Sequence, residues 1–316
     1  VSVRVAAIDC GTNSIRLLVA DVDVDERRIV DLDRRMEIVR LGHGVDRTGL
    51  IAPESMARTF AACERYAEVL RELGAERVRF VATSASRDAG NRDEFVAGVL
   101  ERIGVEPEVV SGEEEARLSF LGATLGLSVA QPPYLVVDIG GGSTEFVLGD
   151  DEVRAACSVD VGCVRMTERH VRSDPPAADD VARITADVDA AIDQAAQAVP
   201  LVEARTLVGL AGSVTTAAAL ALDLPEYDSA RIHGSRIAAD EVRAVSDRLL
   251  ALDHDARAAL PVMHPGRVDV INAGVLVLRR ILDRTGLPEV LVSEHDILDG
   301  IAFSLATRTD AQTQES

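Results

Sequence analysis

Leu135-Val136-Val137-Asp138-Ile139-Gly140-Gly141-Gly142-Ser143-Thr144-Glu145 is the stretch whose reading decides the fold. An apolar run ends in an aspartate, three glycines follow, then two hydroxyls and a carboxylate. The run predicts a buried strand, and the glycines a tight turn whose backbone can approach a ligand closely. Glu145-Phe146-Val147-Leu148 then reads as a second strand. A Walker loop or a dinucleotide fingerprint requires a helix at that point, so neither applies. A strand-turn-strand loop with free N–H groups and hydroxyls is instead a concavity suited to phosphate.

The same pattern occurs near the start of the chain. Val5-Ala6-Ala7-Ile8-Asp9-Cys10-Gly11-Thr12-Asn13-Ser14 is again strand, aspartate, glycine-bearing turn and serine, followed by an apolar run from Ile15 to Val22. Both copies fit D-x-G-x-x-S, and Asp9 and Asp138 lie 129 positions apart. A domain-sized offset with matched strands on both sides predicts a duplicated α/β fold. Two similar domains would then hold phosphate between them. A length of 316 residues agrees with two domains.

Hydrophobic residues make up 47% of the chain but aromatics only 3%, with no Trp, so Ala, Val and Leu must fill the cores. Cys10, Cys63, Cys157 and Cys163 show no metal-ligand spacing. With no secretory segment in view, reduced thiols in a cytoplasm are expected. The formal charge of −20 disfavours nucleic acid or an anionic membrane as partner. It also means that a polyanionic ligand must be drawn in by local arginines or bound cations. The uncharged run Thr206 to Leu222 is broken by Ala211-Gly212-Ser213 and reads as strand, turn and buried helix rather than a membrane span.

In order, strands are expected at 3–9, 15–22 and 28–41, then a glycine-rich loop from Gly42 to Gly49. A helix opens at Pro53 and is ended by Gly74. A strand at 78–82 leads into Thr83-Ser84-Ala85-Ser86-Arg87. Asn91 caps a helix to Ile103, and Ser111 caps another to about Gly126. Gln131-Pro132-Pro133 reads as the hinge between domains 1–127 and 128–306. The second half begins with the strand at 134–138, followed by strands near 144–149 and 152–160 and a helix from Gly162. An amphipathic helix covers 177–199. A strand at 206–210, helices near 239–252 and 269–284, a strand at 289–292 and a last helix at 296–306 follow. That last helix is expected on the first domain, with residues 307–316 as a tail.

Ser111-Gly112-Glu113-Glu114-Glu115-Ala116-Arg117 places three carboxylates at a helix start. Glu114 lies three after Ser111, as in a capping box, and Glu113 complements the positive helix end. Glu115 is left over, and a general base acting on water is open to it. Arg87 suits phosphate because its fork binds two oxygens, although the stretch also reads as a plain helix cap. Arg16, Arg165 and Arg267 follow glycine-bearing turns. Gly212-Ser213 suits either a ligand contact or an ordinary strand-to-helix turn. Asp9, Asp138 and Glu145 suit Mg²⁺, which takes one or two carboxylates plus water and phosphate. Hydrogen bonds to their own turns are the alternative for the two aspartates. The six histidines are scattered, without a zinc pattern.

Taken together, Asp9 to Ser14 with Arg16, Ala82 to Arg87, Ser111 to Arg117, Val137 to Glu145, Gly162 to Arg165, Gly212-Ser213 and Arg267 to Ile271 resemble the exopolyphosphatase / guanosine pentaphosphate phosphohydrolase family. That family belongs to the actin–sugar kinase–Hsp70 superfamily, and the stretches come in family order over nearly the whole chain. The resemblance implies two actin-like (ribonuclease H-like) domains with an interdomain cleft. It also implies Mg²⁺-assisted release of terminal phosphate from inorganic polyphosphate or, alternatively, guanosine pentaphosphate. A regulator that binds an alarmone without turnover is a third reading. The resemblance puts the catalytic base on Glu115. Phosphate contacts fall on Gly11, Thr12, Asn13, Ser14, Arg16, Ser86, Arg87, Gly140, Gly141, Gly142, Ser143, Gly212, Ser213 and Arg267. A homodimer is implied as well. Longer members carry extra C-terminal domains, so this chain is similar to the short form, and a preference for short polyphosphate is expected.

Overall fold

The computed structural model describes residues 2–75, 77–125, 127 and 131–307. Its packing separates two units, Val1–Ser128 with His295–Ser316, and Val129–Glu294. The expected helix end at Gly126 and the tail at 308–316 lie outside the described residues, and Thr307 closes the last helix.

The first unit is built on strands β1 (Ser2–Cys10), β2 (Ser14–Asp23), β3 (Arg28–Ile38), β4 (Arg77–Ala82) and β5 (Glu108–Val109). They lie in the order β3-β2-β1-β4-β5. The first three pair antiparallel, while β4 and β5 join in parallel. From Val5 to Ile8 β1 is apolar at every position because both of its faces are covered. Ala6, Ile8 and Cys10 pack with residues of helices Pro53–Leu73 and Arg92–Ile103, including Met56, Tyr66, Phe95 and Val99. Val5 and Ala7, on the other face, pack with Leu118 of helix Gly112–Thr124 and with Ile301 and Ala302 of helix Ile297–Thr307. The two-residue period of a strand sorts them. Asp9 shares the parity of Val5 and Ala7, so it lies on the face of the last helix.

The second unit repeats this plan. Strands β6 (Tyr134–Ile139), β7 (Thr144–Gly149), β8 (Val153–Val159), β9 (Thr206–Leu210), β10 (Arg236–Ala238) and β11 (Glu289–Val292) lie in the order β10-β11-β9-β6-β7-β8. Read from β8, this is an antiparallel trio followed by two parallel strands, with β10 added at the far edge. Helices Ala178–Ala198, Ala211–Ala221, Ala239–Ala251 and Ile271–Thr285 supply its core.

Some local expectations are revised. β3 stops at Ile38. The 42–49 loop contains a helical turn, Val45–Thr48. Asn91 precedes its helix without capping it: its amide instead clamps the backbone of Ile51, accepting from the N–H at 2.9 Å and donating to the carbonyl at 3.0 Å. No helix among the described residues is long and apolar enough to cross a membrane.

The last helix meets helix Gly112–Thr124 at two glycines. A Cβ on Gly122 would lie 1.8 Å from the carbonyl oxygen of Asp296, and one on Gly300 would lie 1.9 Å from that of Leu118. Neither neighbour is a flexible side-chain tip, so the helices would have to part. Gly122→Ala or Gly300→Ala should cost about 2–3 kcal/mol. Thermal unfolding should read this as a midpoint lowered by roughly 5–10 °C. An unchanged midpoint would mean that the crossing yields freely.

Candidate functional site

Each unit carries one D-x-G-x-x-S loop, and the two loops close the same way. Gly11 N–H donates to Ser14 O at 2.9 Å, and Gly140 N–H donates to Ser143 O at 3.0 Å. The surroundings also consume loop carbonyls. In the first unit Gly42 N–H donates to Thr12 O, and Val39 and Arg40 N–H donate to Asn13 O. In the second, the first turn of helix Cys163–His170 does this work. Cys163 N–H donates to Gly140 O, and Val164 and Arg165 N–H donate to Gly141 O. Arg165 Nε adds a bond to Gly142 O at 2.7 Å. A loop with its carbonyls spoken for offers an anion its N–H side. Thr12 Oγ1 and Ser84 Oγ share a hydrogen bond at 2.8 Å, which ties the first loop to the end of β4.

The matched register makes the charges comparable. Asp9 stands opposite Arg16, and Asp138 stands opposite Glu145. Arg16 grips Asp9 Oδ2 from Nε at 3.0 Å and Nη2 at 2.6 Å. Asp9 Oδ1 is buried and has no hydrogen-bond partner among the described residues. Burial pushes the Asp9 pKa above the ordinary carboxylate value, against the pull of Arg16. In the second unit the arginine is replaced by another acid. Asp138 and Glu145 are both buried, and Ser158 Oγ donates to Glu145 Oε1 at 2.7 Å. Like charges directly opposite on paired strands repel, and burial amplifies the cost. Two such carboxylates are a donor set that fits a divalent cation. Among the described residues no cluster of three or more His, Cys, Asp or Glu side chains could ligate a metal. Any ion would therefore complete its shell with water or ligand oxygens.

The three glutamates of the 112–124 helix are sorted by their partners. Glu113 pairs with Arg117 along the exposed face at 2.8 Å. Ser111 Oγ caps Glu114 N–H at 3.2 Å, but the Glu114 carboxylate turns to Arg79 at 3.4 Å, so only half of the expected capping box forms. Glu115 is buried at 7% exposure, and Arg87 Nη1 donates to its Oε2 at 3.1 Å and to Val110 O at 3.1 Å. Arg87 and Glu115 thus form one unit. Ser86 is fully buried, and its hydroxyl has no hydrogen-bond partner among the described residues.

In the second unit the guanidinium of Arg267 lies on Gly212, where a Cβ would come within 2.4 Å of its Cζ, and Nη1 donates to Thr216 Oγ1 at 3.1 Å. Ser213 is buried against Gly274 and Cys163. Ala211 opens its helix at φ 66°, a left-handed conformation that a residue with a Cβ adopts only under strain. Tyr227 donates to Glu294 Oε1 at 2.6 Å and shares a hydrogen bond with the Thr215 hydroxyl at 2.8 Å. Sequence reading missed Ser158, Tyr227 and Glu294, which carry no motif of their own. It also passed over Asp296, although Asp296 and Asp299 stand three apart at the start of an apolar helix.

Gly162 is fixed by the loop it supports, since a Cβ there would lie 2.4 Å from Gly141 O. Gly162→Ala should push the helix off the glycine loop and cost about 2 kcal/mol or more. Urea unfolding would show this as a lowered midpoint with unchanged slope, and a wild-type midpoint would refute the tight fit.

Comparison with known proteins agrees with this architecture. The family model described as the Ppx/GppA phosphatase family matches residues 18–309. "Exopolyphosphatase 2" of Mycobacterium tuberculosis is 52% identical over 314 residues, covering 96% of this chain and 98% of that protein. The "Guanosine-5'-triphosphate,3'-diphosphate pyrophosphatase" of Aeromonas salmonicida is 27% identical over 301 residues, covering 95% of this chain and 59% of that one. The crystal structure of an "exopolyphosphatase-like protein" superposes with a TM-score of 0.93 at 41% identity, covering 96% of this chain and 98% of the other. The fold is the actin-like α/β fold of these structures. On the match to its model and on these relatives, the chain belongs to the Ppx/GppA phosphatase family.

Proposed function

We propose that this protein is an exopolyphosphatase, a phosphoanhydride hydrolase that releases orthophosphate from the end of inorganic polyphosphate. The observation that carries the reading is the pairing of a buried Glu115 with Arg87 in a unit that also bears the loop at 9–14. The name of the 52% identical relative supports the substrate class. The Aeromonas relative favours guanosine pentaphosphate as the second reading, at lower identity.

In the proposed reaction the terminal phosphate lies against the N–H groups of loop 9–14, in the unit that also carries Glu115 and Arg87. Glu115 orients a water molecule and takes its proton as the water oxygen bonds to the terminal phosphorus. The bridging P–O bond breaks, and the shortened chain leaves with its electron pair. The proton on Glu115 then returns to solvent. Arg87 spans both tasks: its bond to Glu115 orients the carboxylate, and its fork can also meet a phosphate oxygen. Such transfers depend on positioning and charge stabilisation. Asp138 and Glu145 would hold a divalent cation, Mg²⁺ in this proposal, with water and phosphate oxygens completing its shell. When bound, the ion neutralises charge on the phosphoryl oxygens. It also offsets the −20 charge of the protein.

Phosphate release should be measured on tripolyphosphate, long-chain polyphosphate and guanosine pentaphosphate with Mg²⁺. Glu115→Gln should lower turnover by about 10²–10⁴-fold with little change in the unfolding midpoint. Equal turnover in the variant would remove Glu115 from the chemistry. Faster release from guanosine pentaphosphate than from polyphosphate would replace the main reading with the second.

The cation assignment has a readout apart from activity. Glu145→Gln removes one of the two carboxylates that would hold the ion. Added Mg²⁺ should raise the melting temperature of the wild type by mass action, and that of the variant much less. Equal shifts in both proteins would place the ion elsewhere.

A further inference from the structure

A chain of buried contacts reaches Asp9 from the other end of the sequence. Arg16 holds Asp9 Oδ2 with Nε and Nη2, and its Nη1 donates to Asp296 Oδ2. Asp296 is 5% exposed and stands just before the last helix, where its Oδ1 accepts from Leu298 N–H at 3.0 Å. The N–H of Asp296 donates to Asp299 Oδ2 at 3.0 Å. Asp299 is fully buried and is held by Arg34 at 2.6 and 3.2 Å, and Arg34 also reaches Asp31 at 2.7 Å. Register puts these groups together: Arg16 faces Asp9 across β1 and β2, and Arg34 faces Leu18 on the same side of the sheet.

The arrangement does more than cap a helix. A cap needs only Asp296 Oδ1. The second oxygen is spent on a guanidinium whose other nitrogens are on Asp9. Fixed at both ends, that guanidinium covers Asp9 Oδ2 and leaves Oδ1 without a hydrogen-bond partner among the described residues. Swung away, it would release the carboxylate to rotate and the 9–14 loop to shift. We infer that Asp296 is a positioning residue for phosphate release. It acts through Arg16 to hold Asp9 Oδ1 and the adjoining loop in one orientation toward the phosphate chain and the cation that the chain carries. This rests on the reading of loop 9–14 as a phosphate-binding loop.

The test is a double-mutant cycle of Asp296→Asn with Asp9→Asn, read by phosphate release from tripolyphosphate with saturating Mg²⁺. Hydrogen exchange of the amides at 11–14 and thermal melting are followed alongside. Asparagine keeps an oxygen for Leu298 N–H and loses the charge that holds Arg16. Asp296→Asn should melt within a few degrees of wild type and lose about tenfold or more in kcat, with a smaller change in KM. The loop amides should exchange faster. In the Asp9→Asn background the same change should cost less than about twofold, because the two residues act on one coordinate. Arg16→Lys, which cannot bridge two carboxylates as a planar fork, should reproduce the kcat loss and add nothing to Asp296→Asn. Wild-type kcat in Asp296→Asn, or the same fold-loss in both backgrounds, would reduce Asp296 to a helix cap and overturn the inference. Should Asp296→Asn unfold, Arg16→Lys with and without Asp9→Asn decides by the same criterion. Should the wild type release no phosphate, the functional reading fails first. The exchange experiment then stands alone, and unchanged loop protection in Asp296→Asn would sink the positioning role.

Discussion

A carboxylate buried at the end of a central strand must be neutralised, and the two halves of this chain do so differently. The strands that end at Asp9 and Asp138 have the same neighbours, the same turn and the same register. Opposite Asp9 stands Arg16, an internal cation; opposite Asp138 stands Glu145, which doubles the charge. One fold position therefore holds an ion pair in the first unit and two facing carboxylates in the second. Duplication supplied two equal frames, and a single change of side chain in the register divides their labour.

Arginine makes the closed pair possible. The chain contains no lysine, so all 33 basic residues are arginines. Arg16 bonds two carboxylates at once, Arg87 a carboxylate and a carbonyl, and Arg165 a glycine carbonyl beside the loop. A planar fork serves such shared contacts, whereas an ammonium, as a point charge, does not fix their geometry. Breaking one side of such a buried pair leaves the other charge uncompensated, so these contacts hold the backbone of the loops as well as their electrostatics.

Close backbone approach does the rest. Gly122 and Gly300 let the last helix sit against the helix that carries Glu115, and Gly162 lets a helix start rest on the glycine loop. The last helix is remote in sequence from the rest of the first unit, yet it covers one face of β1 and brings Asp296 to Arg16. The Asp9 loop and the Glu115 helix thus share a support formed by the end of the chain.

The sequence by itself determined the strands, the repeated loop and the main helices, because these follow from local period and turn chemistry. Pro53–Leu73 is bounded by its own proline and glycine, and D-x-G-x-x-S is legible wherever it stands. Ser111 spacing and helix charge left Glu115 over, and the family resemblance put the catalytic base on it. Only the tertiary structure decided which side chains share partners. That Glu114 turns to Arg79, that Asn91 clamps Ile51, and that Arg16 is held by Asp296 all depend on contacts between residues far apart in sequence. Hydrogen-bonding groups choose partners by distance in space, and one-dimensional spacing encodes that distance only within a helix turn or a hairpin.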